Sequence, residues 1–205
     1  MNETVVPPQA GAKDAAWASV RTPLSVQELV EFCQDVERLF RINPMLEIKR
    51  FTATGTQHFE IEGRNTSQTP PFEFAVTMQI KPQPDGLHIE YADGIKSHTE
   101  INVTADSQGS QLTITERYER LPAAEREQHL GEVDRSLTVW ADYLQRYLLM
   151  WAKWSRFGWW RWYMRRVWQP MKPAGRRITY ILLWISALEI ALIMLGTAIY
   201  FVEYA

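Results

Sequence analysis

The feature that most constrains this chain is an apolar stretch from residue 178 to residue 202. These 25 residues carry one formal charge, Glu189, and thirteen of them are Leu, Ile, Val or Phe. As a helix the stretch is roughly 37 Å long, which exceeds the ~30 Å hydrocarbon core of a bilayer. The thirteen apolar side chains contribute about −4 to −8 kcal/mol to insertion, against about +3 kcal/mol for a central carboxylate. A transmembrane helix is therefore predicted, with 203–205 as a short tail; the alternative is a buried helix of a soluble core.

The formal net charge of −2 is the sum of three unlike segments. Residues 1–150 hold 14 Lys and Arg against 22 Asp and Glu, residues 151–177 hold 8 Lys and Arg and no acid, and residues 178–205 hold two Glu. Since positive flanks stay on the cytoplasmic side, the long N-terminal part is expected in the cytoplasm, as in a single-pass protein of the bacterial inner membrane. Residues 1–11 lack an apolar core, so no signal peptide is expected.

The basic segment 151–177 is also rich in tryptophan, with six Trp between residues 151 and 168. Trp prefers the headgroup level of a bilayer, and each Lys or Arg gains about 1 kcal/mol near anionic lipid. The segment is therefore predicted to lie in the membrane interface and to contact lipid. The predicted interface residues are Trp151, Trp154, Trp159, Trp160, Arg161, Trp162, Arg165, Arg166 and Trp168. Stacking on nucleic acid is the alternative, and the adjoining apolar stretch argues against it.

Glu189 stands out within the predicted span because ionisable groups near mid-bilayer usually face a partner or a wet cavity. Ser186 and Gly196 lie on or near the same helical face, and small residues beside one polar group are typical of a helix-packing surface. One interpretation is contact with another integral membrane protein or with a second copy of the chain. The other is a protonated Glu189 that faces lipid.

The first 150 residues are predicted to form one α+β unit after a flexible leader, 1–14. A strand over 15–22 is followed by a helix that Ser25 and Glu28 begin as a capping box and that ends at Asn43-Pro44. A long apolar stripe from Leu130 to Trp151 then predicts a closing helix. Between them the alternation of apolar and polar residues predicts six antiparallel strands, 46–54, 56–64, 72–80, 87–92, 95–104 and 111–118, with a tight hairpin at 93–94.

This element order over residues 15–150 resembles that of the START-like superfamily (SRPBCC, polyketide cyclase-like), and residues 136–144 resemble its closing helix. The resemblance implies a helix-grip fold, in which a curved antiparallel sheet surrounds a long C-terminal helix. It also implies an apolar ligand cavity between the sheet and that helix. An interfacial segment, 151–177, and the transmembrane helix would follow this domain.

Strand parity predicts which side chains face such a cavity, taking Phe74 and Val76 as inward. The apolar inward set is Phe59, Ile61, Phe72, Phe74, Val76, Met78, Leu87, Ile89, Tyr91, Ile101, Val103, Leu112 and Ile114. The same parity turns four polar residues inward: Ser97, Thr99, Glu116 and Tyr118. Trp140 of the long helix completes the predicted ligand-binding residues. The alternative is that Ser97 and Thr99 are ordinary sheet residues and that Glu116 meets solvent at a strand end.

Other chemistry-bearing residues carry weaker patterns. His58, Glu60 and Glu62 alternate on the face opposite Phe59, so a solvated outer surface is the interpretation, and no metal or cofactor is predicted. The single cysteine, Cys33, excludes an intrachain disulfide and lies in an apolar helical pattern, which favours a buried thiol. No nucleophile elbow, phosphate loop or dinucleotide fingerprint is present, so no catalytic residue is predicted.

Three functions follow as hypotheses. The first is a membrane-tethered, non-catalytic binding module for a hydrophobic small molecule such as a lipid, a quinone or a polyketide-like compound. The second is a recruitment or assembly factor for a membrane protein complex that docks through the transmembrane helix. The third is a cyclase or hydratase with Tyr91, Glu116 or Tyr118 as acid–base groups. Nucleic acid is not an expected partner.

Overall fold

The computed structural model describes residues 15–120 and 123–204, with the side chains of 123–135 and of 204 excepted. The predicted leader 1–14, residue 205 and the side chains of His129, Leu130 and Val133 lie outside this description. Seven strands and five α-helices are described. The strands are β1 Ala15–Thr22, β2 Leu46–Ala53, β3 His58–Asn65, β4 Phe72–Gln83, β5 Gly86–Tyr91, β6 His98–Asp106 and β7 Gly109–Arg117. The helices are α1 Val26–Gln34, α2 Val36–Ile42, α3 Ala123–Trp154, α4 Gly158–Tyr163 and α5 Pro173–Tyr204.

The strands form one antiparallel sheet in the order β1-β7-β6-β5-β4-β3-β2. Strands β2 to β7 follow one another as a meander. The first strand, β1, pairs with the last strand, β7, at the edge opposite β2. The register places Ile101 opposite Ile114 and Val103 opposite Leu112, and all four side chains are buried. Because successive side chains alternate between faces, this register gives the sheet one apolar inner face and one polar outer face.

The segment between β1 and β2 is a pair of helices, so the prediction of one continuous helix was wrong. Ser25 and Glu28 form the predicted capping box at the start of α1. The chain then breaks at Asp35, which ends α1 and begins α2, with its carboxylate accepting from the backbone N–H of Arg38 at 3.2 Å. A residue at a helix N-cap has a non-helical backbone conformation. When the Asp35 side chain caps α2, the backbone at Asp35 therefore cannot continue α1.

The connection after β5 also differs from the sequence-based expectation. Residues 93–94 do not form a tight hairpin, because β5 ends at Tyr91 and β6 begins only at His98. Ser97 instead donates its backbone N–H to the carbonyl of Arg117 at 2.8 Å, and its own carbonyl accepts from Tyr91 at 3.1 Å. These two bonds hold residues 92–97 as a six-residue loop, with Gly94 at a left-handed φ of 92°.

Helix α3 packs its apolar stripe on the concave inner face of the sheet. Leu137, Trp140, Leu144 and Leu148 recur at intervals of three and four residues and are all buried. The Trp140 indole donates to the backbone carbonyl of Leu39 at 3.2 Å, which ties α3 to α2. A curved antiparallel sheet around a long helix is the helix-grip fold, as predicted.

The chain continues beyond residue 150 without a break in packing. Helix α3 runs to Trp154, and after α4 a π-helical turn covers Met164–Trp168. Trp160 and Met164 are buried in the same apolar core as the sheet and α3. Part of the basic aromatic segment is therefore integral to the folded unit.

Helix α5 contains the whole apolar stretch that the sequence marks. Residues 173–203 of this helix are long and apolar enough to cross a membrane by length and composition. Every residue from 180 to 203 is exposed. The helix therefore projects from the folded unit with its apolar surface uncovered among the described residues.

Candidate functional site

An apolar cavity with a volume of about 400 Å³ lies at the β3–β4 side of the inner sheet face. Its mouth is bordered by the exposed lining residues Asp93, Gly94 and Ile95 of the loop 92–97 and by the partly exposed Gln68 of the segment that connects β3 to β4. Its walls are formed by Phe40, Leu46, Ile61, Asn65, Gln68, Phe72, Phe74, Val76, Met78, Tyr91, Asp93, Gly94, Ile95 and Lys96. Most of this surface is aliphatic or aromatic, so the cavity suits an apolar molecule.

Strand β4 supplies the main wall through alternate residues, Phe74, Val76 and Met78. On the neighbouring strand, Ile61 pairs with Val76 and Gly63 pairs with Phe74. A Cβ at Gly63 would stand 3.0 Å from the Phe74 ring and 2.6 Å from the Glu47 carbonyl oxygen. Glycine at this position therefore gives the Phe74 ring the room to lie across β3 in the cavity wall.

Polar groups gather at the end of the cavity where β5, β6, β7 and the loop 92–97 lie side by side. The Lys96 ammonium forms an ion pair with Oε1 of Glu116, and the Tyr118 hydroxyl donates to Oε2 of Glu116 at 2.5 Å. The hydroxyl groups of Tyr91 and Thr99 are hydrogen-bonded at 3.0 Å. Tyr91 and Lys96 line the cavity, and the other three side chains are buried behind them.

The electrostatics of this end follow from its burial. Burial raises the pKa of Tyr91, and the nearby Glu116 charge adds to the rise, while the hydrogen bond to Thr99 acts in the opposite direction. The phenol is therefore neutral at physiological pH and can donate or accept a hydrogen bond. Both carboxylate oxygens of Glu116 are already engaged, so acid–base chemistry by this residue requires one of those contacts to open.

Trp140 lies beneath the cavity wall. Its ring stacks on Phe40 with a centroid distance of 5.8 Å and an interplanar angle of 30°. Phe40 lines the cavity, and Trp140 does not. Trp140 therefore supports the wall through Phe40.

The predicted ligand-binding residues divide into those that line the cavity and those that do not. Phe74, Val76, Met78 and Tyr91 line it, and Thr99, Glu116 and Tyr118 form the polar layer behind it. Ile89 lies in the closed core with no exposed surface. Phe59 packs on Phe51 with a centroid distance of 5.5 Å. Ser97 donates its hydroxyl to the carbonyl of Arg117 at 3.2 Å. Parity identifies the inner face of the sheet, but only part of that face borders the cavity.

Several lining residues were not identified from the sequence. Phe40 and Leu46 flank the α2–β2 connection, Asn65 and Gln68 follow β3, and Lys96 lies in the loop 92–97. Phe40 carried a usable signal, since it belongs to the apolar stripe before β2. The loop residues carried none, because strand parity does not extend into a loop.

The aromatic and basic residues of 151–168 fall into two groups. Trp160 and Trp168 pack inward on residues of α3: the ring centroids of Trp160 and Trp151 lie 5.6 Å apart, and those of Trp168 and Tyr147 lie 5.3 Å apart. The remaining predicted interface residues are exposed: Trp154, Trp159, Arg161, Trp162, Arg165 and Arg166. One group extends the core of the folded unit, and the other presents indole and guanidinium groups to the surroundings.

Ser186, Glu189 and Gly196 all lie on the exposed surface of α5.

The outer sheet face carries His88 and His98, whose ring centroids are 5.0 Å apart. In the part of the chain that the structure describes, no group of three or more His, Cys, Asp or Glu side chains is placed to hold a metal ion.

Comparison with known proteins identifies solved structures of similar fold. No family model matches the sequence, and no curated protein matches it. A protein from Thermus thermophilus is similar over 64% of this chain and 94% of its own, with a TM-score of 0.51 and 12% identity. A protein from Rhodobacter sphaeroides is similar over 68% of this chain and 95% of its own, with a TM-score of 0.50 and 9% identity. An aromatase/cyclase from Streptomyces sp. R1128 matches 64% of this chain and 93% of its own at 14% identity and a TM-score of 0.46.

At these identities the comparisons concern the fold alone. The sheet order, the closing helix and the likenesses to the Thermus and Rhodobacter proteins together show that the chain has the helix-grip fold. The predicted resemblance is confirmed at that level.

Proposed function

We propose that this protein is a membrane-tethered, non-catalytic binding module for a hydrophobic small molecule, such as a lipid, a quinone or a polyketide-like compound. The observation that carries the proposal is the cavity of about 400 Å³ with largely apolar walls. Small-molecule sites commonly measure about 300–1,000 Å³ and combine apolar walls with a few polar groups. Five lining residues supply the polar groups of this cavity, so a ligand with an apolar body and a polar end fits best: Asn65, Gln68, Tyr91, Asp93 and Lys96.

The tether in this proposal is helix α5, with residues 178–202 crossing the bilayer. Its support is the length and apolar surface of the helix and the eight Lys and Arg residues of 151–177 that precede the apolar stretch 178–202. By the positive-inside rule, the ligand-binding domain lies in the cytoplasm, at the inner membrane of a bacterium. Hydrophobic ligands partition into bilayers, so a tether keeps the cavity near its source of ligand.

The ligand proposal is tested by purifying the full chain in mild detergent and analysing extracted small molecules by mass spectrometry. Val76→Trp fills the cavity from its wall, and Ala75→Trp places the same ring on the exposed outer face of the same strand. The expected result is an apolar compound that is retained by Ala75→Trp and lost in Val76→Trp. Equal retention by both variants, or no bound compound in the unmodified chain, would contradict the proposal.

The tether is tested separately in bacterial membranes. We expect the chain to resist extraction by alkaline carbonate. In intact spheroplasts it should resist protease, and in inverted vesicles it should be digested. Release by carbonate would exclude a spanning α5, and digestion of the domain in spheroplasts would reverse the proposed orientation.

A second candidate function is recruitment of another integral membrane protein. The observation that favours it is Glu189, a carboxylate on the exposed apolar surface of α5 with Ser186 nearby. Glu189→Leu should remove co-purifying membrane proteins, whereas Glu203→Leu, at the end of the same helix, should leave them bound. Unchanged co-purification in Glu189→Leu would eliminate this candidate.

A further inference from the structure

A second, smaller cavity lies on the surface of α4 and the π-helical turn. It has a volume of about 220 Å³ and is lined by Arg161, Trp162, Arg165 and Arg166. None of these residues lines the cavity at the sheet. Three guanidinium groups and one indole therefore form a separate concave surface.

The local backbone brings these guanidinium groups together. Arg161 lies in α4, and Arg165 and Arg166 lie in the π-helical turn, which the bond from the Gln169 N–H to the Met164 carbonyl closes at 2.9 Å. Residues four and five apart share one side of such a helix. Trp160 and Met164 are buried on the opposite side and hold this segment against the folded unit.

No acidic residue of the segment 151–177 neutralises the positive charge of the three arginines. Residues 151–177 contain no acid, and within the described residues the three arginine side chains form no ion pair and no hydrogen bond. Like charges four residues apart on a helix repel each other and destabilise it. A bound anion removes this repulsion, and guanidinium groups match phosphate oxygens in bidentate geometry.

From this geometry we infer that Arg161, Arg165 and Arg166 bind the phosphate of an anionic phospholipid headgroup, with Trp162 beside it. The choice of a lipid over a soluble phosphate comes from the surroundings. The exposed indoles of Trp159 and Trp162 suit the headgroup level of a bilayer. The π-helical turn ends at Trp168, five residues before apolar helix α5 begins at Pro173. The inference rests on the proposed tether, because that tether brings the site to the membrane.

The test measures lipid binding to the full chain in detergent by native mass spectrometry, with phosphatidylglycerol and phosphatidylcholine as the two probes. The unmodified chain should prefer phosphatidylglycerol by tenfold or more, since three guanidinium groups each attract the anionic headgroup. Arg161→Gln/Arg165→Gln/Arg166→Gln should reduce this preference to within about twofold. The matched control, Lys153→Gln/Arg156→Gln/Lys172→Gln, removes the same charge from the same segment and should keep it.

Three results would overturn the inference. They are a chain without preference between the two lipids, a control triple variant that loses as much preference as the cluster variant, and binding of inorganic phosphate as tight as that of phosphatidylglycerol. A failed tether is recognised independently, because it shows as release of the chain by alkaline carbonate. The two proposals can therefore fail separately.

Discussion

The Lys96 ammonium at the cavity mouth pairs with the Glu116 carboxylate on β7. Glu116 is almost completely buried, with 4% of its surface exposed, whereas about a third of the Lys96 side chain reaches solvent. The pair crosses from the loop 92–97 to the sheet, and it neutralises the one carboxylate in the polar layer behind the cavity. The contact therefore links the stability of the domain to the position of the mouth loop.

Lys96→Met should destabilise the domain because Glu116 then stays buried with Tyr118 as its remaining side-chain contact in the polar layer. We expect a loss of about 1–3 kcal/mol, less than for a fully buried pair because Lys96 is partly exposed. Urea unfolding measures this loss in the free energy of unfolding. The matched control is Lys49→Met, which breaks the solvent-exposed pair to Glu73 and should cost less than about 1 kcal/mol. Equal losses in the two variants would show that the Lys96 pair is energetically a surface pair.

Trp140→Phe should weaken the packing contact between α2 and α3. The Leu39 carbonyl loses its indole donor, and Asn43 does not replace it because the Asn43 N–H bonds the Phe40 carbonyl at 3.1 Å. An unsatisfied buried carbonyl costs about 1–3 kcal/mol. Chemical denaturation measures this loss, and Trp159→Phe at an exposed position should change stability by less than about 0.5 kcal/mol. Since Phe40 rests on Trp140, ligand retention should fall as well; unchanged stability and retention would contradict the supporting role.

The parts of the fold that could be predicted are those with a local repeating signal. The period-two alternation along β4 identifies its inner face, and the capping box at Ser25 identifies the start of α1. The three-and-four spacing of α3 and the uncharged length of α5 identify both long helices. In each of these elements the signal is local, either a repeating pattern of residues or a single short motif. A short window of sequence is therefore enough to identify the element.

The parts that could not be predicted depend on contacts between distant residues. The loop 92–97 takes its path from bonds to Arg117 and Glu116, which are about twenty residues away in sequence. The Asp93-Gly94 dipeptide does not indicate those distant bonds, so the local sequence alone predicts a tight hairpin. Lys96 was missed for the same reason, although it is the cation in the cavity wall. The break at Asp35 was missed because an aspartate within an apolar stripe fits a continuous helix equally well.

The stability of the domain should fall above about pH 9 through Cys33. Burial raises the pKa of its thiol to about 12 from an ordinary value of 9.0. The unfolded thiol therefore loses its proton first, and the contribution to stability is complete below pH 9 and is lost as pH approaches 12. The slope from this group is at most about 1.4 kcal/mol per pH unit. Urea unfolding at pH 8, 9 and 10 should show a shallower decline in Cys33→Ala; identical slopes would contradict burial of the thiol.

Arg176 should determine how firmly α5 is held to the folded unit. Its guanidinium donates to the backbone carbonyls of Arg41 at 2.6 Å, Gln169 at 2.9 Å and Trp168 at 3.1 Å. It also lies 3.9 Å from the centroid of the Trp168 ring. Lysine keeps the charge but cannot reproduce this planar set of donors. Arg176→Lys should therefore loosen the contact between α5 and α2 without changing the net charge.

The measurement is amide hydrogen exchange over residues 38–46, which include the Arg41 acceptor and the cavity residues Phe40 and Leu46. Exchange there should become about tenfold faster in Arg176→Lys, because hydrogen bonds to a charged group contribute about 1.5–3 kcal/mol and lysine retains part of that. Arg177→Lys is the matched control, with the same change at the adjacent exposed residue, and should leave exchange unaltered. If both variants exchange like the unmodified chain, α5 is held by its chain connection rather than by Arg176, and its position is independent of the cavity wall.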